Sequence, residues 1–158
     1  MEKKVAFFDM DGTLVAPVFG KDSGDIVFGF PEQEWIEFCN KRRETAYELC
    51  PTLGPIIDRA RVFRKNGYDV KILTVALSEG EQIAKRTLVR KRAWDQIFSD
   101  IIFVPNVDAK ISYIRNYISE NDINPINCVL IEDSFSTVLK SIPLGISAYH
   151  ISHIINIQ

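Results

Sequence analysis

The chain has 158 residues, a length that fits one domain with a substantial buried core. Hydrophobic residues make up 46% of it and charged residues 25%, as in ordinary globular domains. The net charge of −2 gives no overall attraction to nucleic acids or to anionic membranes. The apolar runs are too short to cross a bilayer and no secretory cleavage site follows the basic N-terminal residues, so neither a membrane span nor a signal peptide is expected.

Strand and helix patterns alternate along the chain. The predicted strands cover residues 4–8, 69–75, 101–104, 128–131 and 146–149, and the predicted helices cover residues 31–50, 56–63, 79–92, 109–118 and 135–142. This alternation predicts an α/β fold with three layers, Rossmann-like, in which helices cover both faces of a central parallel sheet. We expect residues 1–158 to form a single domain.

Polar residues stand at the carboxyl ends of several predicted strands, where an open α/β sheet binds its ligands. They are Asp9, Asp11, Thr74, Glu132 and Asp133. Four carboxylates that converge on one edge would repel each other unless a cation lies among them, and ligand sets made only of oxygen favour magnesium. The sequence therefore predicts a Mg²⁺ site, although a single acid such as Asp133 could simply cap the helix that follows it.

Four segments resemble, in order, the motifs of the haloacid dehalogenase-like (HAD) superfamily. Residues 7–15, FFDMDGTLV, resemble the first motif, and residues 72–76, ILTVA, resemble the second, whose hydroxyl residue is Thr74 here. Lys110 stands where the third motif has its lysine, and residues 129–139, VLIEDSFSTVL, are similar to the fourth. The Glu-Asp-Ser of that last segment resembles the branch with β-phosphoglucomutase and many sugar and nucleotide phosphatases. By this resemblance the chain is identified as a HAD hydrolase of the phosphatase type.

The resemblance implies the chemistry of the first motif. Asp9 would attack phosphorus and form an aspartyl-phosphate, which splits one difficult step into two. Asp11 would give a proton to the leaving alcohol and later take one from the attacking water. Asp11 would also offer its backbone carbonyl to the metal, and Thr13 would support the loop.

The other matched residues are implied to bind the phosphoryl group and the cation. Thr74 and the backbone of Met10 would donate hydrogen bonds to phosphoryl oxygens, and Lys110 would offset the negative charge of the nucleophile and the phosphoryl group. The metal site implied by the resemblance comprises Asp9, Asp11, Glu132 and Asp133. For Thr74 and Lys110 the alternatives are a plain strand residue and a solvated helix residue.

The sequence leaves room for only a minimal cap over this site. Residues 15–30 contain three glycines among apolar residues, which predicts a flap hairpin, and the helix at residues 31–50 would be a rudimentary lid. Phe19, Phe28 and Phe30 would shield substrate, unless they only pack the flap onto the core.

These features predict a magnesium-dependent phosphatase that hydrolyses a phosphate monoester. We expect a small phosphorylated metabolite, either a sugar phosphate or a nucleotide. An open site also leaves room for a macromolecular phosphosubstrate, or for a lid supplied by a second copy in a homo-oligomer. The alternatives are a phosphotransferase or phosphomutase, which needs a cap that excludes water, and a non-catalytic phospholigand-binding regulatory protein.

Further features have simpler interpretations. Residues 85–92, KRTLVRKR, predict a solvated helix, with a landing surface for an anionic substrate as the alternative. Asp108 is expected to cap the helix at residues 109–118, and His150 and His153 are expected at the surface. Cysteines 39, 50 and 128 show neither a disulfide framework nor metal-ligand spacing, which indicates packed, reduced thiols and a cytoplasmic protein.

Overall fold

The structure is a computed structural model that describes residues 1–155, in which strands and helices alternate. In chain order the elements are β1 (Val5–Phe8), β2 (Phe19–Gly20), β3 (Ile26–Val27), α1 (Glu32–Arg42), α2 (Gly54–Lys65), β4 (Asp69–Val75), α3 (Glu79–Lys91), β5 (Asp100–Val104), α4 (Val107–Glu120), β6 (Cys128–Glu132), α5 (Phe135–Ser141), β7 (Ser147–His150) and α6 (Ile151–Ile155). Each predicted strand of the sheet is present, and β4 begins and ends where the sequence predicts.

The five longer strands form one parallel sheet in the order β5-β4-β1-β6-β7. Strand β1 lies at the centre, where Phe8 pairs with Ile72 on one side and with Ile131 on the other. This register brings the residues that follow β1 beside the carboxyl ends of β4 and β6. Chain segments far apart in sequence therefore meet at one edge, which in parallel sheets is the ligand-binding edge.

Alternate residues of β1 point to opposite faces of the sheet and build two separate cores. Ala6 and Phe8 belong to the core covered by α1, α2, α3 and α6, whereas Val5 and Phe7 belong to the core covered by α4. Helix α5 contacts α4, β6 and β7. The layers are thus helices, sheet and helices, which confirms the predicted three-layer α/β fold.

The segment between β1 and α2 holds a small hairpin and one helix. Strands β2 and β3 pair antiparallel within residues 15–30, as the flap interpretation requires. The predicted helix at residues 31–50 is wrong in its second half, because α1 ends at Arg42 and Arg43 takes the positive φ of 46°. A 3₁₀ turn at Arg43–Thr45 follows, and no glycine or proline marks this break in the sequence.

Helix α1 packs closely on the start of α3. An atom in the position of a Cβ on Gly80 would lie 2.6 Å from both Asn40 Cα and the Cys39 carbonyl oxygen. The amide of Gly80 also donates a hydrogen bond to Asn40 Oδ1, at 3.0 Å. The contact between the two helices therefore depends on the missing side chain of Gly80.

The predicted cap of α4 is wrong. Asn106, not Asp108, caps the helix, and its Oδ1 accepts a hydrogen bond from the amide of Ala109 at 2.8 Å. The helix begins earlier than predicted, so Asp108 lies within its first turn, where it is exposed and pairs with Lys140.

Two further expectations concern the cysteines and the membrane. Cys39, Cys50 and Cys128 are free thiols, and all three are buried, as expected of packing residues. Across residues 1–155, none of the helices combines the length and the apolarity that a membrane span requires.

Candidate active site

Asp9 follows β1 directly, and its carboxylate is buried at the edge of the sheet. Lys110, from the first turns of α4, lies with its Nζ 2.9 Å from Asp9 Oδ1 and 2.9 Å from Glu132 Oε2. Because Lys110 is buried, the alternative of a solvated helix residue does not apply to it. The lysine thus joins two carboxylates at the carboxyl ends of two neighbouring strands, β1 and β6.

Three carboxylates at this edge form a group that could hold a metal ion. One oxygen each from Asp9, Glu132 and Asp133 lies within 4.8 Å of the others. Glu132 is already engaged, because its Oε2 contacts Lys110 and its Oε1 accepts hydrogen bonds from the amides of Asp133 and Ser134. Asp9 and Asp133 are therefore the carboxylates with the most freedom to bind a cation.

The loop after β1 brings Asp133 close to Asp9. Gly12 has φ +76°, and an atom at its Cβ position would lie only 2.1 Å from Asp133 Oδ2. Thr13 Oγ1 lies 3.3 Å from Asp9 Oδ2 and 3.5 Å from Asp133 Oδ1. The carbonyl of Met10 accepts hydrogen bonds from the amides of Thr13 and Leu14, which closes the turn. Glycine is needed here both for the backbone angle and for the space.

Asp133 does not cap the next helix. The cap of α5 is Ser134, whose hydroxyl accepts a hydrogen bond from the amide of Thr137 at 3.3 Å. The carboxylate of Asp133 instead faces the loop of Gly12 and Thr13. The capping alternative for this residue is therefore wrong.

The charges of the site shift its pKa values in opposite directions. Burial alone would raise the pKa of Asp9, but the charge of Lys110 and its hydrogen bond lower that pKa below its ordinary value. Burial and the charge of Asp9 raise the pKa of Glu132 to about 8, and burial raises the pKa of Asp133 to about 6. Asp9 is thus kept as the anion, whereas burial makes the charged forms of the other two carboxyls less favourable than in water, a cost that a bound cation would reduce.

The side chain of Asp11 lies apart from the metal group. Its Oδ1 accepts a hydrogen bond from the Tyr47 hydroxyl at 2.5 Å, and its Oδ2 lies 2.8 Å from Lys85 Nζ. The prediction that Asp11 belongs to the carboxylate cluster is wrong for its side chain, because Tyr47 and Lys85 hold that side chain elsewhere. The metal-binding role of its backbone carbonyl stays a prediction.

The prediction of a solvated helix at residues 85–92 is wrong for Lys85. Its side chain is 0% exposed and contacts Glu81 at 2.7 Å as well as Asp11. Burial alone would lower the pKa of Lys85, but the charges of Asp11 and Glu81 raise it above the ordinary value. Arg86, Arg90 and Lys91 are exposed, as both the solvated interpretation and the landing-surface alternative require, and the choice between the two stays open.

Thr74 lies buried near the carboxyl end of β4. Its Oγ1 is 2.7 Å from Lys85 Nζ, and this contact brings Thr74 and Asp11 into one network through a single lysine. The interpretation of Thr74 as an ordinary strand residue does not account for this polar contact.

His150 is half-buried, so it is only partly at the surface as expected. Its Nε2 is 2.8 Å from the carbonyl oxygen of Asp133, and its ring stacks on Phe135 with the centroids 3.8 Å apart. His153 is exposed, as predicted.

Sequence reasoning missed four residues around Asp11. Glu81 and Lys85 are four residues apart on a helix that directly follows a strand end, and this spacing was the available signal. Trp35 donates from its ring nitrogen to Glu81 Oε1 at 2.7 Å, and Tyr47 lies in an irregular segment. No local pattern marks either aromatic residue as part of the site.

Comparison with solved structures supports this architecture, whereas comparison of sequences found no match. No family profile and no curated protein sequence matches the chain. A HAD family enzyme from Bacteroides thetaiotaomicron, solved with magnesium, matches with a TM-score of 0.56 and 15% identity over 99% of this chain and 100% of that chain. The same enzyme was also solved with magnesium and inorganic phosphate.

A second match is the 3-deoxy-D-manno-octulosonate 8-phosphate phosphatase from Moraxella catarrhalis, in complex with magnesium, phosphate and the sugar acid. It matches with a TM-score of 0.52 and 16% identity, over 87% of this chain and 62% of that chain. The chain described here therefore has the HAD-like fold that the resemblance implied.

Proposed function

We propose that this protein is a magnesium-dependent phosphatase that hydrolyses a phosphate monoester through an aspartyl-phosphate on Asp9. The observation that carries the proposal is the group formed by Asp9, Lys110, Glu132 and Asp133 at the carboxyl edge of the sheet. Asp9 is buried, its pKa is lowered, and Lys110 lies 2.9 Å from one of its oxygens. Such a carboxylate is available as a nucleophile at neutral pH.

The donor set fits a magnesium ion. It consists of carboxylate oxygens alone, and burial, together with the nearby charge of Asp9, raises the pKa values of Glu132 and Asp133, so a cation would stabilise their charged forms. Asp9 and Asp133 would hold the ion, while Glu132 fixes Lys110 and the loop after β6. When bound, magnesium supplies positive charge next to the phosphoryl group that is transferred.

The residues of this chain account for both halves of the reaction. An oxygen of Asp9 forms a bond to phosphorus as the bond to the leaving alcohol oxygen breaks, and Asp11 gives that oxygen a proton. In the second half a water attacks phosphorus and loses its proton to Asp11, the bond to Asp9 breaks, and inorganic phosphate leaves. The Thr74 hydroxyl, the Met10 amide and Lys110 stabilise the charge on the phosphoryl oxygens.

We propose a small phosphorylated metabolite as substrate and the cytoplasm as location. The phosphatase from Moraxella catarrhalis, which shares the fold, is named for a small phosphorylated sugar. The three buried free thiols fit a reducing compartment. The lid role of the segment before α2 stays a prediction.

The experiment is phosphate release from an aryl phosphate, measured with magnesium and with excess chelator. We expect turnover that chelation abolishes and that added magnesium restores. Asp9→Asn keeps the shape of the side chain but not its nucleophile, so it should remove turnover without lowering the melting temperature. Full activity in excess chelator contradicts the metal-dependent reaction. Turnover by a verified Asp9→Asn protein means that another residue is the nucleophile.

A further inference from the structure

Lys85 is a buried cation that the reaction described above does not use. Helix α3 begins four residues after Val75, and the spacing of Glu81 and Lys85 places both on its buried face. Lys85 Nζ lies 2.8 Å from Asp11 Oδ2, and it lies 2.7 Å from each of three further acceptors. These are Glu81 Oε2, Thr74 Oγ1 and the carbonyl oxygen of Val75.

The hydrogen-bond inventory of Lys85 fixes the role of the Thr74 hydroxyl. An ammonium group has only hydrogens to donate, so Thr74 Oγ1 must accept from Lys85. The hydrogen of Thr74 is then left for another acceptor. Among residues 1–155 its acceptor is the Val75 carbonyl at 3.4 Å, too long for a good O–H···O bond, and that carbonyl already accepts from Lys85. The Thr74 hydroxyl is thus kept as a donor.

The same lysine holds Asp11 from one side while Tyr47 holds it from the other. Tyr47 is buried and donates to Oδ1, whereas Lys85 contacts Oδ2, so both carboxylate oxygens have a fixed partner. A carboxylate with both oxygens engaged keeps one orientation, as proton transfer over a short distance requires.

Glu81 in turn fixes Lys85. One of its oxygens contacts Lys85, and the other accepts hydrogen bonds from the Trp35 ring at 2.7 Å and from the Leu77 amide at 3.1 Å. Trp35 belongs to α1, so the segment before α2 is connected to Asp11 through buried polar contacts. A buried ion pair of this kind is weak evidence for stability. Its contacts with four acceptors nevertheless give the Lys85 ammonium group a defined position.

We propose that Lys85 is a positioning residue that orients the Asp11 carboxyl for proton transfer and keeps the Thr74 hydroxyl as a donor to the phosphoryl group. Glu81 and Trp35 hold Lys85 in place, and Tyr47 completes the support of Asp11. This inference rests on the proposed phosphatase reaction.

The test uses a series of phosphate monoesters whose leaving alcohols range from a nitrophenol to a simple alkyl alcohol. A nitrophenolate leaves without a proton, whereas an alkoxide needs one from Asp11. Lys85→Met keeps the length of the side chain and removes its donors. We expect its kcat to fall by about 10²-fold or more for alkyl phosphates and by less than about tenfold for the nitrophenyl ester, with smaller changes in KM.

Several controls separate positioning from folding. Arg90→Met lies on the exposed side of the same helix and should leave every kcat unchanged. Tyr47→Phe removes one donor to Asp11 without stranding a charge, so a smaller loss with the same dependence on the leaving group is expected. Where Lys85→Met does not fold, Glu81→Gln with Lys85→Met removes both members of the ion pair, and the same dependence is expected of it.

A separate part of the test addresses the contact between Lys85 and Thr74. Thr74→Val should lower kcat by a similar factor for all esters. In the double variant with Lys85→Met, this loss common to all esters should be nearly the same as in Thr74→Val alone, and the dependence on the leaving group should appear in addition. If the losses common to all esters in the two single variants add fully in the double variant, the Thr74 part of the proposal is overturned.

The two proposals fail in different ways. A wild-type protein that turns over no ester contradicts the phosphatase function and, with it, the role of Lys85. A wild-type protein that turns over the whole series, with Lys85→Met equally active or equally impaired on every ester, overturns the positioning role alone.

Discussion

Gly12 controls how closely the Asp133 carboxylate approaches Asp9. An added Cβ would meet Asp133 Oδ2 at 2.1 Å, and the φ of +76° disfavours any other residue. We expect Gly12→Ala to displace Asp133 and to lower magnesium affinity and turnover by about 10²-fold, the cost of misplacing a reacting group by about 1 Å. Calorimetric magnesium titration and phosphate release measure the two effects.

Gly24→Ala is the matched control for that variant. Gly24 also has a positive φ, +91°, but nothing lies within 4 Å of the place where its Cβ would be. It should lose about 1 kcal/mol of stability from backbone strain and keep its magnesium affinity. Equal loss of magnesium affinity in both variants would show that strain, and not the contact with Asp133, is responsible.

The raised pKa values of Glu132 and Asp133 predict how pH changes stability. Their folded-state pKa values, about 8 and about 6, lie above the unfolded values, so folding without metal favours the protonated carboxyls. That contribution is present at low pH and is lost as pH rises toward about 8. Magnesium binds the deprotonated carboxylates. The increase in Tm on adding magnesium should therefore be larger at about pH 8.5 than at about pH 6.

Thermal melts with magnesium and with chelator, at both pH values, check this expectation. Asp133→Asn is the control, because it removes one ligand and should reduce the magnesium effect throughout. An increase in Tm that is equal at both pH values would contradict proton competition at these carboxyls.

At the scale of elements, the contact between α1 and α3 depends on Gly80. Alanine favours helix over glycine by about 1 kcal/mol, but a Cβ here would lie 2.6 Å from the backbone of α1. We expect Gly80→Ala to lower the free energy of unfolding by about 1–3 kcal/mol through overpacking. Gly29→Ala, where nothing lies within 4 Å of the added Cβ, should be neutral or stabilising. Denaturant unfolding measures the free energy of unfolding of both variants, and equal values would contradict the close contact between α1 and α3.

The aromatic residues of the hairpin and α1 divide into packing and exposed positions. Phe19 is buried against the rings of Trp35, Phe38 and Tyr47, so Phe19→Ala should cost about 3–5 kcal/mol and impair all substrates alike. Phe28 is 73% exposed, and Phe28→Ala should preserve the melting temperature.

The predicted selectivity role therefore stays with Phe28. Its removal should change the preference among phosphorylated metabolites more than the turnover of a small aryl phosphate. A substrate panel run beside thermal melts measures both, and unchanged preferences in Phe28→Ala would remove the shielding role.

Across the whole molecule, the sequence predicts what depends on local periodicity and chain order. Alternating patterns identify the strands, and the polar residues at their carboxyl ends identify Asp9 and Asp133 as neighbours and Thr74 as a residue of the same sheet edge. The partners of Asp11 could not be found in this way, because Tyr47 and Lys85 reach it only through the packing of α1 and the turn after it on α3. The end of α1 at Arg42 was missed for a similar reason, since Arg43 adopts its positive φ without a glycine.

The central claim is that Asp9 becomes phosphorylated during turnover. Wild-type protein mixed with a substrate labelled on its phosphoryl group, and quenched in acid within the first turnover, should retain label on the protein, because an acyl phosphate survives brief acid treatment. The label should be released by hydroxylamine, and peptide mapping should place it on Asp9. Asp11→Asn should accumulate more of it with a good leaving group, since Asp11 assists the attacking water. Turnover with no label on the wild-type protein, or with label on another residue, would contradict the account.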